Sequence, residues 1–334
     1  MVHWSQSRYK NEEECTDVIS REGSPLMQIE KVCVIGMGTM GSQIGIVCGR
    51  GGFQTILVDL SEELTKKGLK SIEAFLSSQV KKGKMRSEEM DKILSLTTAT
   101  TDLGKALSDA ALVIEAVFED IEVKKQLFKK MDSVCPKEAI LASNTSTLSI
   151  TEMGAVTARP ERCIGTHFLI PAALTPLVEL VRGLETSDET HKTVVDFFTM
   201  CGKETVTVVD SPGFVVNRLY LPMVNEAFYV LENSLASAEE IDRCCVRGLG
   251  FPLGPLAAAD AFGLDILLRC METFHKELGE KYRPAPLLAK LVKAGRLGRK
   301  SGRGVYDYRS SPFPFPRGKR ERDEGKITTP EGKM

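Results

Sequence analysis

The sequence predicts an α/β protein of two domains: a doubly wound sheet with an inserted helical hairpin over residues 29–210, then an all-helical domain over 211–308. Three observations carry that prediction. Short apolar runs rich in β-branched residues alternate with helical runs up to Asp210, the order required by a sheet covered with helices on both faces. From Ser211 the apolar period changes from 2 to 3.6, and no further strand pattern follows. Between the two patterns, Asp210-Ser211-Pro212-Gly213 has the composition of a turn and marks the boundary.

Residues 1–28 show no periodicity and read as a loosely ordered extension. Lys31-Val-Cys-Val-Ile35 is the first buried strand, and it runs directly into Gly36-Met-Gly38-Thr39-Met40-Gly41. In that spacing Gly36 permits the tight strand-to-helix turn, and Gly38 leaves room for a pyrophosphate. Gly41 lets the following helix pack closely, and the helix N-terminus offers free N–H groups to phosphate oxygens. A second strand, Thr55-Ile-Leu-Val-Asp59, ends in an acid placed about 20 residues on, where it can accept hydrogen bonds from a ribose diol. Strand, glycine turn, helix, second strand and terminal acid in this order predict a Rossmann-type dinucleotide-binding unit. A structural turn that binds nothing is the alternative.

Ser61 caps a helix running to about Val80, and another helical run begins near Ser87. The tip between them, Lys81-Lys82-Gly-Lys-Met-Arg86, is either solvated surface or a phosphate contact. Ala111–Val117 is the next strand, followed by Phe118-Glu119-Asp120 and a helix carrying Lys124. Ala139-Ile-Leu-Ala-Ser143 is a strand that opens into the polar cluster Ser143-Asn144-Thr145-Ser146. Ligands bind beyond the carboxyl ends of strands in such sheets, which places Glu119 and this cluster on the edge of the glycine loop. Strands over Cys163–Pro171 and Leu177–Val181, a helix from Ser187 to Met200 and a last strand over 204–210 complete the domain. Helices are then predicted over 214–235, 238–249, 265–278 and 286–293, with 250–255 as a rigid connector. The Pro- and charge-rich stretch 309–334 reads as a disordered tail.

A net charge of −1 over 334 residues gives no global attraction to nucleic acid or membrane. No apolar run approaches the ~20 residues of a spanning helix. The acidic opening, Glu12-Glu13-Glu14 and Asp17, lacks the apolar segment of a secretory signal and sits badly with a transit peptide, so the cytoplasm is the expected compartment. Nine cysteines without a C-x-x-C pair, among them Cys33 and Cys163 within strand patterns, read as small buried hydrophobes, with no metal site.

Of four histidines, His167 alone ends an apolar strand where the sheet presents ligands; His3, His191 and His275 lie among charged residues or in the extension. A strand-end histidine is often structural, yet an imidazole also suits removal of a hydroxyl proton during hydride transfer. Glu179, an acid in the apolar run Leu177–Val181, would be costly there without a partner, and His167 is the nearest one.

Residues from about 30 to 308 closely resemble the L-3-hydroxyacyl-CoA dehydrogenases. The resemblance lies in the glycine loop, Asp59, Ser143-Asn-Thr-Ser146, Thr166-His-Phe168, Pro176-Leu-Val-Glu179, Asp210-Ser-Pro-Gly-Phe-Val-Val-Asn217-Arg218 and Gly298-Arg-Lys300-Ser-Gly-x-Gly-x-Tyr306. It implies NAD as cofactor and His167 as general base paired with Glu179. Ser146 and Asn217 would hold the reacting oxygen and acyl chain. Gly36, Gly38, Thr39, Met40, Gly41 and Asp59 would bind the cofactor, with Glu119, Lys124, Asn144 and Lys300 around its nicotinamide half. Lys82 would meet a coenzyme A phosphate, and the helical domain would form a homodimer. The structural alternatives are a cap for Ser146, backbone contacts for Asn217 and a solvated charge for Lys300.

The chain also departs from the family pattern. Ile170 replaces an asparagine near the thioester arm, Phe75 a small polar residue, and Ala172–Pro176 lacks the usual Met-Lys. These changes resemble relatives acting on gulonate or carnitine. The resemblance as a whole still implies oxidation of an (S)-3-hydroxyacyl-CoA. Dehydrogenation of a 3-hydroxy acid without coenzyme A, or non-catalytic dinucleotide binding, are the alternatives.

Overall fold

Each early strand is apolar at consecutive positions because both of its faces are covered. In the computed structural model, which describes residues 29–309, strand β1 (Lys31–Ile35) sends Val32 and Val34 into one core and Cys33 and Ile35 into another. The extension expected over 1–28 and, apart from Arg309, the tail expected over 309–334 lie outside the described residues.

The elements follow in order: helix α1 (Thr39–Arg50), β2 (Gln54–Val58), the hairpin helices α2 (Glu62–Lys81) and α3 (Ser87–Ser95), β3 (Thr97–Thr100) and α4 (Leu103–Leu107). Next come β4 (Leu112–Glu115), α5 (Ile121–Val134), β5 (Ile140–Ser143), α6 (Ile150–Gly154), β6 (Cys163–Phe168), β7 (Leu177–Arg182), α7 (Asp188–Met200) and β8 (Glu204–Val209). The sheet order is β3-β2-β1-β4-β5-β6-β7-β8. It is parallel from β3 through β6, β7 turns back antiparallel to β6, and β8 is parallel to β7. Chain order reverses beside β1, so the glycine loop lies at the switch point where such sheets bind ligands. One core takes Ile44 and Val47 of α1, Ile72 and Leu76 of α2, and Phe197 and Phe198 of α7. The other takes Leu107 of α4, Phe128 and Met131 of α5, and Met153 of α6.

Strand β3 does not stand out in the sequence. Its threonines, in Thr97-Thr-Ala-Thr100, are β-branched but the run has no apolar alternation, and pairing with β2 on one side alone makes it a strand.

The described residues divide into two compact units, the first ending at Phe214 and the second beginning at Val215. The first unit thus keeps the Asp-Ser-Pro-Gly segment expected as the boundary. Asp210 accepts from Ser149 Oγ (2.6 Å) and Thr151 N (2.8 Å) at the start of α6, and Phe214 packs against His167 with ring centroids 5.3 Å apart.

The second unit holds α8 (Val216–Glu232), α9 (Ala238–Gly248), α10 (Pro255–Phe262), α11 (Leu264–Leu278) and α12 (Pro286–Lys293) around its own core. Helix α10 has no helical period in sequence because Pro255 to Asp260 are all buried, which removes the polar face that reveals a surface helix. Two buried acids organise this unit. Asp242 accepts from Leu256 N (2.8 Å), Ala257 N (2.9 Å) and Tyr306 Oη (2.8 Å), and Asp260 accepts from Val305 N and Tyr306 N, both at 2.9 Å. Burial pushes both carboxyls above their ordinary pKa. Side chains at Gly298 or Gly304 would collide with Asp260, so the glycines of this motif serve that close approach. No helix among the described residues is long and apolar enough to cross a membrane.

Candidate active site

The glycine loop has the geometry its spacing predicts. Gly36 sits at φ +96°, and a Cβ there would come within 2.7 Å of the Ala116 carbonyl oxygen. A Cβ on Gly41 would fall on the Gly36 carbonyl, whereas one on Gly38 would meet nothing within 4 Å. Gly38 therefore faces open space, and α1 begins there without a side-chain cap. Thr39 is exposed and Met40 half-buried at the start of the helix. An uncapped N-terminus behind a side-chain-free approach fits a pyrophosphate. Asp59 adds a contact that spacing did not reveal: Oδ2 accepts from Met37 N at 2.7 Å and Oδ1 from Leu60 N at 2.7 Å. The carboxylate expected at a ribose diol thus also holds the glycine loop in place.

The register of β6 on β7 sets His167 directly opposite Glu179. Their side chains are both almost fully buried, with Nδ1 2.7 Å from Glu179 Oε2. A carboxylate only accepts, so Nδ1 carries the proton and Nε2 presents its lone pair. Ser146 Oγ lies 3.1 Å from that Nε2. Asn144, expected at the cofactor, uses its Oδ1 to accept from Phe168 N (3.1 Å) and so ties the end of β5 to the residue after the histidine.

Glu119 and Lys124 stand differently from each other. Glu119 is exposed, and its Oε1 accepts from Thr145 Oγ1 (2.6 Å), Ser146 N (2.8 Å) and Thr147 N (3.1 Å). Lys124 is fully buried, with its ammonium 2.6 Å from Glu115 Oε1 and 3.5 Å from Glu119 Oε2. Glu115, not singled out in the sequence, is fully buried too, and it also accepts from Ser143 Oγ (2.6 Å) and Val117 N (2.7 Å). Like Glu179, it is an acid within an apolar strand, and that signal was available.

Lys203 is a second residue that the sequence did not point to. It is buried in the turn before β8 and donates to the carbonyls of Ala172 (2.7 Å) and Thr175 (2.6 Å). Burial, with Arg50 nearby, pulls its ammonium down to a pKa of about 8. Arg50 Nη1 donates to Ala173 O (3.1 Å), and Gln43 accepts from Ala173 N (3.2 Å), so α1 and Lys203 together pin the loop after His167. Ile170, 61% exposed, opens that loop.

The other predicted positions are spread out. Lys82 is exposed on the hairpin tip, and Phe75 packs against the first core from the same hairpin. Asn217 and Lys300 belong to the second unit. Asn217 is half-buried in the first turn of α8, and Lys300 pairs with Asp265 at 2.6 Å. Cys33, Cys48, Cys135, Cys163 and Cys201 are free and buried, and burial raises each thiol's pKa. Among the described residues, no group of three or more His, Cys, Asp or Glu could hold a metal ion.

Comparison with known proteins supplies a context for this geometry. Residues 31–211 match the family described as 3-hydroxyacyl-CoA dehydrogenase, NAD binding domain, and residues 213–308 match its C-terminal domain. The chain is 46% identical over 283 residues to a probable 3-hydroxybutyryl-CoA dehydrogenase of Bacillus subtilis, covering 84% of this chain and 98% of that protein. It is 37% identical over 288 residues to the human mitochondrial hydroxyacyl-coenzyme A dehydrogenase, covering 84% and 92%. The crystal structure of (S)-3-hydroxybutyryl-CoA dehydrogenase from Ralstonia eutropha superposes with a TM-score of 0.80 at 44% identity, covering 84% and 99%.

Proposed function

This chain belongs to the 3-hydroxyacyl-CoA dehydrogenase family, and we propose that His167 is the base with which it performs the family's NAD-dependent oxidation of (S)-3-hydroxyacyl-CoA to 3-ketoacyl-CoA. The observation that carries the proposal is the line Glu179–His167–Ser146, in which Glu179 holds Nδ1 and leaves Nε2 at the open end beside Ser146 Oγ. Nε2 takes the proton of the substrate's 3-hydroxyl, and Glu179 stabilises the imidazolium that results. Ser146 holds the same oxygen by hydrogen bonding as it becomes a carbonyl. NAD, when bound, accepts the hydride leaving C3. The Gly36–Gly41 loop would receive the pyrophosphate and Asp59 the adenosine ribose. In the reverse direction the imidazolium returns the proton.

The similarity to 3-hydroxybutyryl-CoA dehydrogenases supports a short acyl chain on coenzyme A, in preference to a free 3-hydroxy acid. The exposed cations Lys81, Lys82, Lys84 and Arg86 would meet the coenzyme A phosphates. A homodimer through the helical unit would give cover to the exposed Leu219, Leu235 and Leu249. NADH oxidation measured against acetoacetyl-CoA, longer 3-ketoacyl-CoAs and free acetoacetate tests the substrate, with highest kcat/KM expected for acetoacetyl-CoA. Free acetoacetate turning over as well as its thioester would overturn the coenzyme A assignment. Light scattering at micromolar concentration should give twice the chain mass, and a monomer would refute the dimer.

A further inference from the structure

We propose that Glu115 and Lys124 form a buried positioning pair that aims Glu119, and through Glu119 the turn carrying Ser146, at His167. The inference rests on the reading of His167 as the base.

A fully buried ion pair is a poor device for stability alone, since desolvation offsets most of its attraction and apolar side chains of similar volume serve a core as well. This pair lies at the carboxyl ends of β4 and β5, the edge on which the reaction centre stands. Glu115 accepts three short hydrogen bonds: Lys124 Nζ and Val117 N reach Oε1, and Ser143 Oγ reaches Oε2. With these bonds in place the Glu115 carboxylate is held from both strands, and the Lys124 ammonium has a defined position between two acids. Its second acid is Glu119, whose Oε2 lies 3.5 Å away.

Glu119 is exposed, and in water an exposed carboxylate has no reason to keep one rotamer. The buried cation behind it supplies one. The oxygen turned away from Lys124 then gathers three donors from consecutive residues, Thr145 Oγ1, Ser146 N and Thr147 N. Bonding the Ser146 amide fixes the backbone from which its hydroxyl reaches to 3.1 Å from His167 Nε2. The chain Glu115–Lys124–Glu119–Ser146–His167–Glu179 thus runs without a break from the interior of β4 to the interior of β7. Lys124 can span the gap because Asp120 caps α5 and accepts from Val123 N, so the lysine stands in the first helical turn. From there a long side chain leans back toward the helix start and the sheet edge.

Two variants of the full chain test the proposal, with kcat and KM for acetoacetyl-CoA and NADH, NADH affinity by fluorescence and Tm as readouts. Glu115→Gln leaves the ammonium facing Glu119 alone, and both Tm and kcat should fall. Glu115→Gln/Lys124→Met removes both charges, which buried sites tolerate, so Tm should return to near the original value, and kcat is read at saturating NADH so that any change in cofactor affinity is kept apart. Its kcat should nonetheless stay roughly 10–100-fold low, because Glu119 has lost the cation that orients it and a small misplacement at the centre is that costly. A merely structural pair would behave otherwise, with kcat recovering alongside Tm. Recovery of kcat in the double variant, or failure of both variants to fold, would overturn the proposal. If the unaltered protein does not oxidise NADH with acetoacetyl-CoA, or His167→Gln keeps its turnover, the reading of the base fails instead, and that result is separate from anything seen at Glu115.

Discussion

Replacing Glu179 by glutamine tests the reaction centre most sharply, because the change is nearly isosteric at a site where both side chains are almost fully buried. The 2.7 Å bond from His167 Nδ1 would become a neutral one. A hydrogen bond to a charged group contributes ~1.5–3 kcal/mol and a neutral bond ~0.5–1.5, so the lost increment is typically ~1 kcal/mol. The larger loss comes when the imidazole takes the proton. Two unit charges about 4 Å apart at an effective dielectric of ~20 attract by ~4 kcal/mol, and glutamine supplies none of it. The expected fall in kcat therefore lies between ~5-fold and ~10³-fold, at 1.36 kcal/mol per factor of ten. Steady-state NADH oxidation with acetoacetyl-CoA measures it, and NADH affinity, read by fluorescence, should not change. A kcat within about twofold of the unaltered enzyme would refute the assignment of Glu179 as the group that stabilises the imidazolium.

Three further outcomes follow from the geometry. Asp59 should repel a 2′-phosphate while bonding a free 2′-hydroxyl, so kcat/KM should favour NAD over NADP by at least ~10-fold, and Asp59→Ala should narrow the ratio; equal values for the two cofactors would refute the role. Gly38→Ala, with open space around it, should keep Tm and weaken NADH binding, whereas Gly41→Ala must displace the Gly36 carbonyl and should lower stability by ~1–3 kcal/mol or more; calorimetry and NADH titration separate the two. Lys203 has a folded pKa near 8 against an ordinary 10.5, so between those values the unfolded chain binds more protons and stability from this group rises with pH. The Tm of the unaltered protein minus that of Lys203→Met should therefore increase from pH 8 to 10.5, and a flat or falling difference would show that the ammonium carries no burial penalty.

The parts of the fold set by nearest neighbours were legible in the chain. The strand, glycine turn, helix and acid from Lys31 to Asp59 are defined by steric demands a few residues apart, and each of the three glycines meets the surroundings its spacing implied. The doubly covered strands were legible too, since burial on both faces requires an unbroken apolar run. His167 and Glu179 could be paired from chemistry alone, because an acid in an apolar strand needs a partner and the chain offered one nearby. Strand β3 and helix α10 were not legible, because one is a strand by virtue of its neighbour and the other hides its period by being buried all round.

What tertiary structure alone decided is how distant groups share work. Glu115 meets Ser143 across two strands, Asp59 reaches back to Met37, and Lys203 holds carbonyls some thirty residues earlier in the chain. No periodicity encodes these contacts. They exist because buried polar groups must find partners wherever the packed chain provides them, and where that happens depends on strand order and register. The sequence determined that the chain carries a dinucleotide loop and a histidine–carboxylate pair. The sheet decided that β7 runs back along β6 to set Glu179 opposite His167, and that a buried cation stands behind the turn bearing Ser146.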